Sequence, residues 1–370
     1  MPESPPLREG VALLDVRHDA PEHERRVHHW LGEHIAALLD TPFLADRQDS
    51  ATRARYFIPN DTLIGRGQAR ELGIRSDADF FGGMVAEPFM ATKAITHPLP
   101  GPSAHAPPGW SEGFFHLAGR AVLSGYSAFN IDDAMQAGIR LLLSGPVRVK
   151  PVRATAGRGQ CRVTDENQLR EAVAAQDLDE IATWGLVLEE HLDDVLTYSV
   201  GQVQVAGITA SYFGTQGLTE DNGGVSVYGG SELLVARGGW KDLLDLAGDE
   251  PVYLAIEQAR AYEQAAQACF PGFLASRRNY DIAQGINARG HLRSGVLEQS
   301  WRIGGASAAE ILAIEAFATD PQLTCIRAAT VERYGAGFEI PGGAALLYQG
   351  DDAEVGPISK FARVEPYGVA

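Results

Sequence analysis

The stretch VRVKPVRATAGRGQCRV, residues 147–163, decides the fold and the kind of site that the chain carries. Lys150 lies inside an apolar strand expected at 147–152, and a buried ammonium group is costly without an anionic partner. Gly157-Arg158-Gly159 follow a few residues later, and glycine lets backbone N–H groups approach an anion closely. The stretch therefore predicts a phosphate-binding loop between two strands.

This stretch is also a basic patch in an acidic protein. The formal net charge of the chain is -17, yet four arginines accompany Lys150, namely Arg148, Arg153, Arg158 and Arg162. The sequence contains no GxxxxGK[ST] loop and no G-x-G-x-x-G that opens a helix, so neither common nucleotide fingerprint is present. The alternative interpretation is a tight hairpin with a solvated basic face. A second motif favours phosphate binding.

That second motif is LEQSWRIGGAS, residues 297–307. Glu298, Ser300 and Arg302 share one face of an extended strand because side chains alternate along it. Asp281 lies on the preceding predicted strand and joins them if the two strands form a hairpin. Oxygen ligands suit Mg²⁺ and a guanidinium binds phosphate as a fork, so the motif predicts a site for Mg²⁺ and a phosphate chain. A solvated sheet face with an Arg–Glu pair is the alternative.

Strands alternate with helices along the rest of the chain, which predicts an α/β class. Helices are expected at 23–39, 132–143, 166–175, 251–270 and 308–318, and strands at 11–16, 185–190, 200–208, 233–237, 280–287 and 294–301. The His28-His29 pair is expected on a polar, solvated face of the first helix. The glycine-rich stretch 211–230 predicts either a long hairpin loop or the lining of an acceptor pocket.

Composition excludes several classes of partner. The strong negative charge disfavours nucleic acid and anionic lipid surfaces as partners. Three scattered cysteines, Cys161, Cys269 and Cys325, form neither a disulfide framework nor a zinc signature, which favours a reducing compartment. No window has the length and apolar character of a membrane span. We therefore expect a cytoplasmic protein with no nucleic-acid or membrane partner.

Taken in order, these motifs resemble the ATP-grasp superfamily, which includes biotin carboxylases and D-alanine–D-alanine ligases. VKPVRATAGRG resembles its strand, lysine and glycine-rich loop, VLEEHL its adenine hinge, and EQSWRIGG its metal strand. The resemblance covers roughly residues 125–318. The whole chain also looks like a bacterial ATP-grasp-like family of unassigned function.

The resemblance implies a fold in which two α+β subdomains clasp ATP, preceded by an N-terminal α/β lobe. The implied limits are 1–110 for the lobe, with a proline- and glycine-rich linker at 97–110, and 111–188 for the small subdomain. The large subdomain would span 189–345, and residues 346–370 would form a C-terminal extension.

It also implies roles for individual positions. Lys150 would contact the α- and β-phosphates, and Gly157, Arg158 and Gly159 would cover the β- and γ-phosphates. Lys93 is the candidate for a further phosphate lysine, with an exposed loop lysine as the alternative. Adenine would be held by backbone hydrogen bonds from the hinge, unless the hinge is only a strand end; its residues are Glu189, Glu190, His191 and Leu192.

The metal strand would hold Mg²⁺ through Asp281, Glu298 and Ser300, and Arg302 would face the transferring phosphate. Ser300 stands where the family has Asn, which leaves a second Mg²⁺ open. The ribose carboxylate is expected near Thr197, so Asp193 or Asp194 would have to substitute for it.

The implied activity is that of an ATP-dependent ligase. A substrate carboxylate would be activated as an acyl-phosphate and then attacked by an amine or thiol, with Lys150 and Arg302 neutralising charge on the phosphate. The alternatives are a small-molecule kinase of the same fold and a non-catalytic, nucleotide-binding regulatory protein. The implied cofactors are ATP and Mg²⁺, and a homodimer is compatible with the family.

Overall fold

The structure is a computed structural model that describes residues 8–18, 20–45, 54–153 and 159–367. Helices in these ranges are α1 Glu22–Leu38, α2 Arg66–Glu71, α3 Glu112–Ala118, α4 Ile131–Leu142, α5 Glu166–Ala174, α6 Leu178–Trp184, α7 Trp240–Leu244, α8 Glu250–Cys269 and α9 Ser307–Thr319. The strands of the first half are β1 Val11–Leu14, β2 Tyr56–Pro59, β3 Leu63–Ile64, β4 Gly83–Val85, β5 Gly125–Ala128, β6 Val147–Pro151, β7 Cys161–Val163 and β8 Leu186–Glu190. The strands of the second half are β9 Leu192–Val205, β10 Ile208–Glu220, β11 Ser226–Arg237, β12 Leu274–Ala275, β13 Arg277–Asn287, β14 Leu292–Ser300, β15 Cys325–Tyr334, β16 Ala345–Asp352 and β17 Gly356–Pro366.

The N-terminal region is built on the parallel pair β1 and β2, on which α1 packs. Leu31 and Ile35 of α1 lie with Val11 and Tyr56 in a core that also includes side chains of α9. A second small sheet has the order β12-β4-β3, so its edge strand comes from far along the chain. The N-terminal region is thus completed by residues that follow α8.

A four-stranded antiparallel sheet, in the order β5-β8-β6-β7, presents the lysine motif. Val147 and Val149 of β6 pack with Leu169 in the core under α4 and α5. Because side chains alternate along a strand, Lys150 points to the opposite face of this sheet. Asn130 caps α4 and Asp165 caps α5, each accepting backbone N–H groups of the first turn.

An eight-stranded antiparallel sheet, in the order β14-β13-β9-β10-β11-β15-β17-β16, carries Asp281 on β13 and Glu298 and Ser300 on β14. α8 packs against β9, β13 and β14, and α9 packs against β10, β15 and β17. The sequence sets residues 346–370 apart as an extension, but β17 lies between β15 and β16 inside this sheet. β17 pairs with β15 on one side and with β16 on the other, so both β16 and β17 are part of the large sheet.

The α/β class predicted from the sequence is confirmed, and so is the hairpin of β13 and β14. The stretch 211–230 is a hairpin, formed by β10 and β11. Among the described residues, no helix is long and apolar enough to cross a membrane.

Candidate active site

Lys150 is buried in an ion pair with Glu189 of the neighbouring strand β8. The two side chains are only 4% and 2% exposed. Glu189 is shared, because its second carboxylate oxygen lies 3.1 Å from Nε2 of the fully buried His97. Lys150, Glu189 and His97 therefore form one buried row of paired side chains. A buried ammonium group needs such a partner because burying it unpaired is costly.

Neighbouring charges decide the protonation states of Glu189 and Lys150. Burial alone would raise the pKa of Glu189, but Lys150 and His97 lower it to about 2, so the carboxylate is ionised. Burial lowers the pKa of Lys150, and the Glu189 carboxylate opposes that shift. The pair is a salt bridge that holds the Lys150 ammonium in place.

Close packing holds His97 against the backbone of β5. A Cβ atom added at Gly125 would lie 2.8 Å from atoms of the His97 ring. We expect Gly125→Ala to lower the free energy of unfolding by about 1–3 kcal/mol, because the buried ring has no room to move. Urea denaturation measures this change. Gly248→Ala, which adds a methyl group in open space, should be near neutral, and equal stability of the two variants would contradict the contact.

Asp281 and Glu298 are direct cross-strand partners in the β13–β14 hairpin. Asp281 accepts hydrogen bonds from Gln216 Nε2 at 2.9 Å and from Asn279 Nδ2 at 3.0 Å. Burial and the neighbouring Glu298 carboxylate raise the pKa of Asp281 to about 6. Two like charges held this close favour a cation between them.

Lys93 contacts Glu298 of β14, and its charge also acts on Lys150 of β6. Its ammonium pairs with Glu298, and its side chain is only 4% exposed, so the alternative of an exposed loop lysine is wrong. Burial alone would raise the pKa of Glu298, but Lys93 and then Lys150 lower it. The charges of the two lysines and the two hairpin carboxylates therefore act on one another across the two sheets.

Ser300 and Arg302 lie beside this pair rather than within it. The Ser300 hydroxyl accepts a hydrogen bond from Nη1 of Arg277 at 3.3 Å, so a guanidinium occupies one of its two acceptor positions. Arg302 is half-buried, with Nε 3.7 Å from Asp61 Oδ1. The structure thus brings Asp281 and Glu298 together and places Ser300 against a cation.

A buried network behind the hairpin was missed by sequence reasoning. Arg277 binds the fully buried Glu310 of α9, with Nη2 to Oε1 at 2.8 Å. Tyr212 donates to Glu310 at 2.6 Å, and its hydroxyl oxygen also lies 3.0 Å from Asn279 Oδ1. One available signal was Glu310 itself, an acidic residue in the apolar sequence SAAEILAI, because a buried carboxylate needs a cationic partner.

The hinge segment has less free backbone than the resemblance implies. The N–H of Glu190 donates to Ser124 O at 2.8 Å, and the N–H of His191 donates to Pro146 O at 3.0 Å. These two amides are therefore engaged within the protein and are not free to bind a base. The reason is that strand β5 and the turn before β6 lie directly alongside this segment.

The remaining predicted positions lie at the margins. Gly157 and Arg158 fall outside the described residues, whereas Gly159 is described and has φ +68. Asp194 is exposed at the start of β9, and Asp193 lies 3.3 Å from His191 Nε2. Gln216, on the glycine-rich hairpin, reaches the site through Asp281.

Asp281 and Glu298 suit an Mg²⁺ ion whose remaining ligands are waters and phosphate oxygens of a bound substrate. Within the described residues, no group of three or more His, Cys, Asp or Glu side chains is arranged to hold a metal ion. Mg²⁺ is commonly held by one or two carboxylates together with waters and substrate phosphates. Asp281 and Glu298 supply two carboxylates, and the Lys93 ammonium now occupies the cationic position beside Glu298.

Comparison of folds defines the class. The structure is similar to the biotin carboxylase–β,γ-ATP complex from Campylobacter jejuni, with a TM-score of 0.50 and 11% identity over 96% of this chain and 87% of that chain. N5-carboxyaminoimidazole synthetase from Staphylococcus aureus complexed with ADP has a TM-score of 0.48 and 12% identity, over 98% of this chain and 96% of that chain. D-alanine–D-alanine ligase from Bacillus anthracis has a TM-score of 0.40 and 12% identity, over 83% of this chain and 95% of that chain. The chain has the ATP-grasp fold.

The particular family follows from sequence. The chain belongs to the family described as a protein of unknown function (DUF3182), whose model matches residues 11–362. No curated protein matches the chain in sequence.

Proposed function

We propose that this protein is an ATP-dependent ligase that activates a substrate carboxylate as an acyl-phosphate for attack by an amine or thiol. Mg-ATP would lie between the four-stranded and the eight-stranded sheet, with 111–188 as one clasping subdomain and 189–345, extended by β16 and β17 of the same sheet, as the other. The proposal extends to ATP and Mg²⁺ as cofactors and to a small carboxylate as substrate.

One observation carries the proposal. Two buried lysines, Lys93 paired with Glu298 and Lys150 paired with Glu189, both lower the pKa of Glu298, which is the cross-strand partner of Asp281. A triphosphate with Mg²⁺ matches this arrangement, because its negative charge suits the ammonium groups and the ion suits Asp281 and Glu298. A purely structural core would not concentrate four ionised groups between two sheets.

The chain's own residues would act by position and charge. Lys150, held by Glu189, and Lys93, beside Glu298, would bind phosphate oxygens. Arg302 would stabilise charge that develops on the transferring phosphoryl group. Mg²⁺, held by Asp281 and Glu298, would supply charge neutralisation on the phosphate oxygens.

Trapping with hydroxylamine tests the reaction class. Hydroxylamine converts an acyl-phosphate into a hydroxamate, so we expect hydroxamate and ADP only when ATP, Mg²⁺ and a matching carboxylate are all supplied. Mixtures that omit one component are the controls, and a screen of small carboxylates supplies the substrate. A stable phosphorylated product that hydroxylamine does not attack would make the protein a kinase. ATP binding without ADP release across the screen would make it a silent nucleotide binder.

A further inference from the structure

The backbone turn that carries Lys93 lies beside the outer edge of β14. β14 is the last strand of the eight-stranded sheet, and the 3₁₀ turn Lys93–Ile95 packs against it. We call residues 92–96 the Lys93 turn. Glu298 of β14 pairs with the Lys93 ammonium. A lysine side chain is long and flexible, so the place of its ammonium group depends on how firmly this turn is attached to the strand.

Gln299 attaches the Lys93 turn to β14. Its side-chain nitrogen donates to the carbonyl oxygen of Thr92 at 2.6 Å and to that of Met90 at 3.4 Å. Thr92 directly precedes Lys93, and Gln299 directly follows Glu298. Two consecutive residues of one strand therefore contact the Lys93 ammonium and the backbone just before it.

Tyr262 of α8 fixes the orientation of the Gln299 amide. Its hydroxyl group donates to Gln299 Oε1 at 3.0 Å. The Thr96 hydroxyl lies 2.9 Å from the Tyr262 oxygen and donates to it, because Gln299 already uses the single Tyr262 proton. Gln299 is 5% exposed, and Tyr262 and Thr96 are fully buried, so these bonds are shielded from solvent. With Oε1 facing Tyr262, the amide nitrogen of Gln299 faces the Lys93 turn.

A buried amide side chain at this position has a cost that an apolar one would avoid. Burying a polar group is unfavourable unless its hydrogen bonds are made, and a methionine of similar length would fill the same space without that requirement. What Gln299 adds is the bond to Thr92 O, which fixes the backbone beside Lys93. The geometry therefore relates Gln299 to the position of one charged group of the candidate site.

We propose that Gln299 is a positioning residue that holds Lys93 in place for the phosphate chain of the nucleotide. The proposal rests on the proposed function, in which Lys93 binds phosphate oxygens. Fixing the turn before the nucleotide arrives reduces the freedom that is lost on binding, so affinity is gained without a further contact. Gln299 acts through Lys93 rather than on the nucleotide itself.

The position of Lys93 can be followed by NMR on the full chain without nucleotide. The chain has four lysines, Lys93, Lys150, Lys241 and Lys360. Labelling lysine with ¹³C and ¹⁵N therefore gives four side-chain signals, each assigned with a variant in which that lysine is methionine. In Gln299→Met we expect the Lys93 signal to shift or broaden, while the signal of the exposed Lys241 stays unchanged. An unchanged Lys93 signal would overturn the proposal.

Gln258→Met is the matched control. Gln258 is also 5% exposed, and its side chain also donates to a backbone carbonyl of β14, that of Ser294 at 3.0 Å. The substitution thus removes the same kind of buried hydrogen bond at another place on the strand. We expect a comparable loss of stability in urea denaturation and no change in the Lys93 signal. An equal change of the Lys93 signal in the two variants would reduce Gln299 to a structural residue and overturn the proposal.

ATP affinity tests whether Gln299 acts through Lys93. Gln299→Met should weaken ATP binding by about tenfold, the value of the charge-assisted contact that Lys93 would supply. In the Lys93→Met background, the same substitution should change the affinity by less than about twofold, because the group that it positions is absent. Calorimetry measures both ratios. Equal losses in the two backgrounds would contradict a role that passes through Lys93.

Tyr262→Phe is a milder variant of the same arrangement. It removes the hydroxyl group that orients the Gln299 amide and leaves Gln299 itself in place. We expect the Lys93 signal to shift in the same direction as in Gln299→Met and by a smaller amount. If Gln299→Met does not fold, this variant decides, and an unchanged Lys93 signal in it would overturn the proposal.

The two proposals fail separately. ATP turnover in the wild type, with the Lys93 signal and the ATP affinity of Gln299→Met unchanged, would overturn the role of Gln299 and leave the ligase proposal standing. A wild-type protein that binds no ATP would overturn the ligase proposal, whereas the Lys93 signal would still decide whether Gln299 holds the Lys93 turn.

Discussion

Lys150→Met is expected to cost both stability and nucleotide binding. The substitution leaves the Glu189 carboxylate, which is 2% exposed, without its nearest cation. Breaking a buried ion pair in this way typically lowers the free energy of unfolding by about 3–5 kcal/mol. Loss of a charge-assisted contact should weaken ATP binding by at least about tenfold. Denaturant unfolding and calorimetry measure the two effects.

A double variant separates the two effects. Lys150→Met with Glu189→Gln removes both charges, so most of the lost stability should return while ATP affinity stays low. Lys241→Met, at an exposed position of α7, is the matched control and should change neither quantity. Wild-type ATP affinity in the stable double variant would remove Lys150 from the site.

The carboxylate pair should control the response to Mg²⁺. We expect Asp281→Asn and Glu298→Gln to remove the stabilisation that Mg²⁺ gives in thermal unfolding, and to lower turnover by about 10²–10³-fold, the scale of a lost electrostatic contact in a transition state. Glu339→Gln, at an exposed position before β16, is the control. A wild-type protein whose ATP binding is unaffected by EDTA would show that the pair holds no metal.

The same pair predicts how stability depends on pH. The folded protein raises the pKa of Asp281 from 3.8 to about 6, so the protonated carboxyl is favoured by folding. Its contribution is fully present below the ordinary pKa and is lost as pH rises through about 6. Without metal, wild type should therefore lose stability relative to Asp281→Asn over this range. Parallel stability curves for the two proteins would contradict the raised pKa.

Local pattern was enough for several features of the site. β13 and β14 follow one another across a short turn, so their register could be anticipated and with it the contact of Asp281 with Glu298. The inward direction of Lys150 follows from strict alternation along β6, because Val147 and Val149 must face the core. Asn130 and Asp165 could be expected as caps because their side chains bond only to the next few residues.

Contacts between distant residues could not be found in this way. Lys93 contacts Glu298, and His97 contacts Glu189 across 92 residues of sequence. Neither contact has a periodicity, because each depends on how a turn packs against a sheet formed elsewhere. The resemblance suggested Lys93 as a phosphate lysine, but its burial and its carboxylate partner required the packed structure.

By itself, the sequence determined the α/β class, the lysine strand, the carboxylate hairpin and the likeness to ATP-grasp proteins, because these depend on alternation and spacing within short segments. Only the tertiary structure decided that Glu189 anchors Lys150, that Arg277 occupies the side of Ser300, and that His28 is buried against β1 rather than solvated. The physical reason is that the burial of a polar group and its partner depend on which surfaces meet, and for these residues the surfaces belong to elements far apart in the chain.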